Sequence, residues 1–472
     1  MPEKFFVGGE WRDSSEVLEV IFPYDNTVSG SIYLSTEDDI EDAIASAHKG
    51  FQITRKLPSY RRSEVLRTLH RLMQENFNEL VDLMIIESGK NRKTAVGEMT
   101  RALQTILISS EEAKRIGGEV FSIDWTPAGE NKQGFTKRMP IGTVLCITPF
   151  NYPVNLSCHK IGPAIAVGNS FILKPAEKTP LSSVRLIELV LEAGYPPEAV
   201  NLVQCFGEKA GKMVSDPRIA MLSFTGSASV GWMLKNRAGQ KKVALELGGN
   251  AGVVVHEDAD LDLALKHTVS GSFANAGQNC ISVQRLLIHR PIYEDFCDQF
   301  IPAVEALVVG DPRDAATDIG PMIREADAKR AEAWVNEAIG AGAHPLLPGK
   351  RENAMFWPVV LTDTTSDMKV RCEEIFAPVV TLVPYETWDD AVYLMNDTPY
   401  GLQAGLFTRD MKRIMDAWER IEVGGLHVNN VSTFRVDHMP YGGVKSSGFG
   451  REGVKYTIEE MTEIRLMVLH LD

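Results

Sequence analysis

The chain has no apolar run long enough to span a bilayer, and its first residues, MPEKFFVGGEWRD, carry no apolar core behind their charges. Neither a signal peptide nor a membrane anchor is expected. Positive charge is in deficit: 49 Lys and Arg stand against 63 Asp and Glu, a net charge of −14. Such a surface repels phosphate backbones, so no nucleic-acid partner is expected. Short basic pairs such as Arg61–Arg62 and Lys241–Lys242 read as solvated faces. Cysteine is scarce. The six residues, at 146, 158, 205, 280, 297 and 372, form no close pairs. This argues against a disulfide framework and against a zinc site, and for a reducing, cytoplasmic setting. No metal is expected.

What is present fits a globular enzyme. A chain of 472 residues exceeds a single small core, so two or three domains are expected. Short strands and turns occupy 5–34. Ser35 and Thr36 stand three residues before Asp38 and Asp39, a capping-box pattern that opens a first helix. A second helix starts near Ser59, and a third covers roughly Ala95–Arg115. Residues 119–140 are polar, with Pro, Gly and aromatics, and read as a hairpin excursion. From Ile141 strand-like runs alternate with helix-like ones as far as His256, and a second such series follows to Ile421. Alternation of this kind implies right-handed crossovers and doubly wound parallel sheets, which bind ligands at the carboxyl ends of their strands. The last apolar run, Glu463–Leu471, has no obvious partner, and an uncovered edge points to a subunit interface.

Several stretches carry chemistry-bearing residues. In TVSGSFANAGQNCISVQR, Cys280 follows a crowd of small residues (Ser270, Gly271, Ser272, Ala274, Ala276, Gly277) that would let a flat ligand approach a sulfur; it is either a nucleophile or a small core residue. In LELGGN, Glu246 ends a strand beside two glycines and is either a mobile general base or a surface residue before a turn. In ITPFNYPVN, the Asn151 amide either donates to an oxyanion or caps the next helix, roles that need different side-chain directions. In FILKPAEKTP, Lys174 and Glu177 suit the ribose of a dinucleotide. The turn SFTGSASVG offers Gly226, Ser227 and Gly231 for a pyrophosphate, without the G-x-G-x-x-G spacing.

Together PFNYP, KPAEKTP, FTGS, LELGGN, GQNC, EEIFAP and YGGVKSSGFGRE resemble, in order and over essentially the whole length, the NAD(P)-dependent aldehyde dehydrogenase superfamily. The resemblance implies an α/β fold of two doubly wound domains with a small β oligomerisation arm. Residues 1–118 and 141–248 would form a variant Rossmann cofactor domain, 249–453 a catalytic domain, and 119–140 with 454–472 the arm of a homodimer or homotetramer. It implies Cys280 as nucleophile, Glu246 as activator of the hydrolytic water, and Asn151 with the Cys280 N–H as oxyanion hole. Lys174 and Glu177 would hold the adenosine ribose, Ser227 the pyrophosphate and Glu374 the nicotinamide ribose, with Phe376 near the ring. The YGGVKSSGFG run would be structural. An aldehyde would be oxidised to an acid through a cysteine thioester. A carboxylate at Glu177 repels a ribose phosphate, which favours NAD over NADP.

Substrate candidates are Tyr152 and His159, spaced to share a helix face with Asn155 or Leu156, together with Arg101 and Arg435. His159 is either a polar tunnel residue or a hydrogen-bonded structural one. Arginines suit a carboxylate, phosphate or sulfonate, and the Arg435 segment resembles lactaldehyde dehydrogenases and relatives acting on phosphonate or sulfonate aldehydes. A short polar or anionic aldehyde is expected. Succinic semialdehyde and glyceraldehyde 3-phosphate are alternatives, the latter disfavoured because Asn279 stands where such relatives carry arginine. A structural protein that has lost turnover is an alternative of another class, against which the intact Cys280, Glu246 and Asn151 argue.

Overall fold

A right-twisted strand followed by a helix returns to its own sheet by a right-handed crossover, and both series join parallel strands through helices in the computed structural model, which describes residues 1–471. In the first sheet five parallel strands lie in the spatial order Val200–Leu202, Ser170–Lys174, Thr143–Ile147, Ile219–Thr225, Lys242–Glu246. Winding reverses between Thr143–Ile147 and Ile219–Thr225, and that reversal opens a crevice at the strands' carboxyl ends. Phe5–Val7 and Glu10–Arg12 extend one edge antiparallel, and Gly448–Phe449 closes the other against Lys242–Glu246. The 448–449 strand thus joins the first sheet although it falls inside the 249–453 range.

The second sheet runs His344–Leu347, Val359–Thr362, Val379–Tyr385, Val283–His289, Ala251–Val255, Gln403–Phe407, Gly425–Val428, parallel except at its first pair. Strands such as Thr143–Ile147, Ser170–Lys174 and Ala251–Val255 are buried at every residue, which is why they read as continuous apolar runs rather than alternating ones. The helix Pro153–Val167 is likewise buried throughout, packed among helices Ser59–Glu75, Arg92–Glu112, Leu181–Glu192 and Val454–Glu460.

Three details depart from expectation. The third helix spans Arg92–Glu112, and a further helix, Phe77–Ser88, precedes it. Its apolar run LVDLMII hides the helical period because most of it is buried. The C-terminal strand Thr462–His470 has a partner within the chain: it pairs antiparallel with Lys132–Pro140, which also pairs with Val120–Ser122. Asp472, the last residue of the expected arm, lies outside the described residues. The capping box is formed, by Thr36 and Asp39.

Candidate active site

The carboxyl edge of the first sheet faces the amino edge of the second across a cavity of about 650 Å³. The first sheet supplies Asn151, Lys174, Glu177, Gly226, Ser227 and Glu246, each just beyond or at the end of a strand. The second supplies Cys280, Glu374 and Phe376, each a few residues before a strand.

Cys280 is half-buried, and its Sγ lies 3.1 Å from the Tyr441 hydroxyl. Burial pushes the thiol up to about 11, with the Tyr441 hydrogen bond acting against the rise. The small residues before it serve differently from the sequence reading. Ser270, Gly271 and Ser272 belong to the helix Leu261–Phe273, and none of the small residues from 270 to 277 lines the cavity. Instead Asn275, Ala276 and Gly277 take left-handed backbone angles (φ 54°, 54° and 68°) that turn the chain toward the sulfur. A Cβ at Gly277 would meet the Ala377 carbonyl oxygen at 2.1 Å.

Glu246 is a buried group, 3% exposed, and neither carboxylate oxygen has a hydrogen-bond partner. Burial, reinforced by the nearby charge of Glu452, raises its pKa well above the carboxylate range. Glu452 goes the other way. Burial alone would raise it, but Lys160, His159 and Arg435 hold it down; Lys160 Nζ and Arg435 Nη2 each donate to it at 3.1 Å. The glycines beside Glu246 allow close approach of neighbouring groups. A Cβ on Gly248 would strike the Glu374 carboxylate at 2.1 Å, and one on Gly249 the Cys280 carbonyl at 2.3 Å.

Asn151 does not cap the next helix. Tyr152 is the N-cap residue, and Asn151 Nδ2 donates to the Gln278 carbonyl at 3.1 Å, which turns the amide toward the Cys280 loop. That bond uses one of two amide hydrogens.

Elsewhere along the cavity, Lys174 Nζ donates to Glu177 Oε1 at 2.7 Å. Ser227 opens the helix Ala228–Ala238, whose N-terminal N–H groups no side chain caps. Gly231 packs closely on Leu247 and is not among the lining residues. Glu374 Oε1 accepts the Gly249 N–H at 3.0 Å, and burial raises its pKa to about 7 against that bond and Arg330. Phe376, at φ 52°, meets Phe150 edge-on with centroids 5.8 Å apart. The run Gly448–Gly453 does spell G-x-G-x-x-G, but its first two residues are themselves a short antiparallel edge strand, and it is not the turn between a parallel strand and its helix. Its neighbour Ser447 accepts the Leu247 N–H, bracing the strand end that carries Glu246.

Of the substrate candidates, Arg101, Tyr152 and Arg435 line the cavity beside Asn279 and Cys280, and His159 does not. His159 is wholly buried and its Nε2 lies 2.8 Å from Asp437. The same carboxylate accepts Arg101 at 2.7 and 3.2 Å and Asn155 at 3.2 Å. The tunnel role read from His159 is therefore corrected: it holds Asp437, which holds Arg101. Arg435 stacks on the Tyr441 ring at 3.6 Å, and its buried Nε has no partner.

A family model described as the aldehyde dehydrogenase family matches residues 11–467. The chain belongs to the aldehyde dehydrogenase family. It is similar to the 3-sulfolactaldehyde dehydrogenase of Priestia megaterium, 46% identical over 467 residues that cover 99% of this chain and 98% of that protein. Among solved structures it is similar to aldehyde dehydrogenase 21 of Physcomitrella patens in complex with the reaction product succinate, at 39% identity and a TM-score of 0.97, covering 100% of this chain and 99% of that one. It is also similar to a glyceraldehyde-3-phosphate dehydrogenase of Methanocaldococcus jannaschii complexed with NADP, at 36% identity and 0.93, covering 97% and 99%. As an aldehyde dehydrogenase the chain is an oxidoreductase acting on aldehydes, in a family that uses nicotinamide cofactors.

Four residues of this aldehyde dehydrogenase site were given no role from the sequence: Tyr441 and Glu452, which begin and end the run YGGVKSSGFGRE, and Asp437 and Lys160. Each reaches the site through a partner at least 17 residues away, beyond the reach of any helical or strand period. Outside the site, His256, Glu257 and His289 bring three ligand atoms within 4.8 Å. The two imidazoles stack at 4.2 Å and 13°, so their in-plane lone pairs run side by side instead of converging on one ion.

Proposed function

We propose that this aldehyde dehydrogenase oxidises a short aldehyde bearing an anionic group to the corresponding acid, with NAD. The observation that carries the substrate class is Arg435: a guanidinium in the cavity wall near Cys280 whose hydrogen bonds among the described residues all run through Nη2, leaving Nη1 without a protein acceptor. A substrate carboxylate or sulfonate would complete it. Arg101, whose Nε and Nη2 are fixed on Asp437, offers a second cation to the same ligand.

The residues present fit a dinucleotide. The uncapped helix at Ser227 suits a pyrophosphate, Lys174 with Glu177 an adenosine ribose, and Glu374 a second ribose. A bound oxidised nicotinamide supplies the two-electron acceptor for the aldehyde hydrogen. The protein's own part begins at Cys280, whose thiolate attacks the carbonyl carbon. The carbonyl oxygen, taking up the displaced electron pair, is held by the free amide hydrogen of Asn151 and the Cys280 N–H. Once the carbon has been oxidised to the thioester, Glu246 takes a proton from water, and the hydroxide so formed releases the acid. Glu246 can do this only when ionised, and its raised pKa makes it a stronger base than an exposed carboxylate.

Glu177 supports NAD over NADP, since its carboxylate would oppose a ribose phosphate. The apolar side chains exposed on the arm, among them Ile464, Leu466, Met467 and Trp125, support a homodimer or homotetramer. Six unpaired cysteines support a cytoplasmic setting. No helix among the described residues is long and apolar enough to cross a membrane. The test is NADH formation with a panel of short aldehydes ending in sulfonate, carboxylate, phosphate, hydroxyl or methyl. The anionic members should show the highest kcat/KM, and a preference for the neutral ones would overturn the assignment.

A further inference from the structure

We propose that the Tyr441 hydroxyl is a catalytic hydrogen-bond donor to the Cys280 sulfur, serving it first as nucleophile and again as leaving group. The inference rests on Cys280 being the nucleophile.

The geometry leaves the hydroxyl little else to do. It lies 3.1 Å from Sγ, and among the described residues the sulfur is its only hydrogen-bond partner. Tyr441 is 3% exposed. Its ring is pinned by the Arg435 guanidinium 3.6 Å from the centroid, and Arg435 is itself tied to Glu452 at 3.1 Å. The phenol therefore stays on the sulfur. Towards a protonated thiol it is a weak partner; towards a thiolate it donates a charge-assisted bond, which is stronger. The thiolate gains more than the thiol, so the thiol is made more acidic.

Both covalent steps use this. In the first, a sulfur electron pair forms the C–S bond as the carbonyl π pair moves to oxygen. In the last, hydroxide forms a C–O bond, the C–S bond breaks, and the sulfur departs with the bonding pair as thiolate. The Tyr441 O–H receives that charge, and a less basic thiolate leaves faster.

The effect on attack is smaller than the effect on acidity. If Tyr441→Phe raises the thiol pKa by about one unit, the thiolate population at neutral pH falls about tenfold, while each thiolate becomes about threefold more nucleophilic on a Brønsted slope of ~0.45. The net loss in attack is about three- to fourfold.

The experiment compares the enzyme with Tyr441→Phe by thiolate absorbance and iodoacetamide alkylation against pH, and by the infrared S–H band assigned by difference from Cys280→Ser. The titration midpoint should rise by about one unit, the alkylation rate at neutral pH should fall three- to fourfold, and the S–H band should move. A second enzyme carrying fluorotyrosine at position 441, a more acidic donor, should shift the midpoint down. An unchanged midpoint and band overturn the proposal, as does a uniform slowing at every pH with the midpoint unmoved. Mapping the alkylated peptide separates the two readings. Label at Cys280 with no shift defeats Tyr441 alone, whereas label elsewhere with turnover retained in Cys280→Ser defeats the nucleophile assignment.

Discussion

The Glu98 carboxylate accepts the Val154 N–H at 2.9 Å, so a side chain from one helix caps the start of another. The same Oε1 accepts the Asn155 N–H at 3.0 Å, and Oε2 takes the buried Lys90 ammonium. Lys90 in turn lies 3.9 Å from the Tyr152 ring centroid. Asn151 and Tyr152 immediately precede this helix, so its anchoring fixes the cavity wall. Replacing one member of a buried ion pair typically costs ~3–5 kcal/mol. Glu98→Ala should lower the first denaturant unfolding midpoint markedly and reduce turnover, with Glu98→Gln intermediate. A midpoint within error of the parent would remove Glu98 from the support of the site.

The pKa of Glu374, raised to about 7 by burial with Gly249 and Arg330 opposing, bears on cofactor binding. Ribose hydroxyls donate to the ionised carboxylate and much less to the acid. Below pH 7 the folded protein holds Glu374 increasingly protonated, so cofactor Kd should rise by up to about tenfold per pH unit. Titration of dinucleotide binding by fluorescence across that range would show it. Glu374→Gln should bind weakly at pH 8 and lose the pH dependence.

For Glu246 the sign of the linkage is opposite to the usual carboxylate. Its folded pKa is raised by burial and Glu452, so the folded state holds the proton more tightly than the unfolded state. The associated stability is full below the unfolded value and is lost as pH rises through the folded one. Glu246→Gln should therefore melt above the parent at alkaline pH and close to it in acid. It should also form the thioester and fail to hydrolyse it, visible as a burst of one NADH per site followed by little turnover.

Substrate recognition can be divided between the two arginines. Arg101→Ala and Arg435→Ala should each raise KM for sulfonated or carboxylated aldehydes by about ten- to a hundredfold, the range of a hydrogen bond to a charged group. Neutral aldehydes should change little with Arg101→Ala. Equal effects on both classes would mean that the guanidiniums shape the cavity without reading its contents.

Cofactor choice should turn on Glu177, which already engages Lys174 at 2.7 Å. Glu177→Ser frees that lysine and removes the repulsion, so the ratio of NADP to NAD kcat/KM should rise at least tenfold, the effect of ~1.4 kcal/mol. Equal use of both cofactors by the parent enzyme would contradict the assignment.

The central strands of both sheets were legible to within about two residues because buried parallel strands are short apolar runs cut by helices of clear period, whereas the edge strands His344–Leu347, Gly425–Val428 and Gly448–Phe449 were not read. Thr36 and Asp39 announced a helix start by local chemistry alone. Phe77–Ser88 was lost because its apolar run masks the helical period. His159 was misplaced because helical spacing gives a face but not what that face meets, which here is Asp437, 278 residues away. The alternatives for Asn151 needed coordinates, since only a side-chain direction separates capping from donation. Tyr441 lay in plain view within YGGVKSSGFG, yet its contact spans 161 residues, and the run read as scaffold.

Four residues, Leu247 to Asn250, join the strand Lys242–Glu246 of one sheet to Ala251–Val255 of the other. The carboxylate and the sulfur are thus mounted on separate plates that meet at a short strap. A rotation about it would alter their separation. The rate of acid release relative to that of thioester formation would then report the angle between the plates.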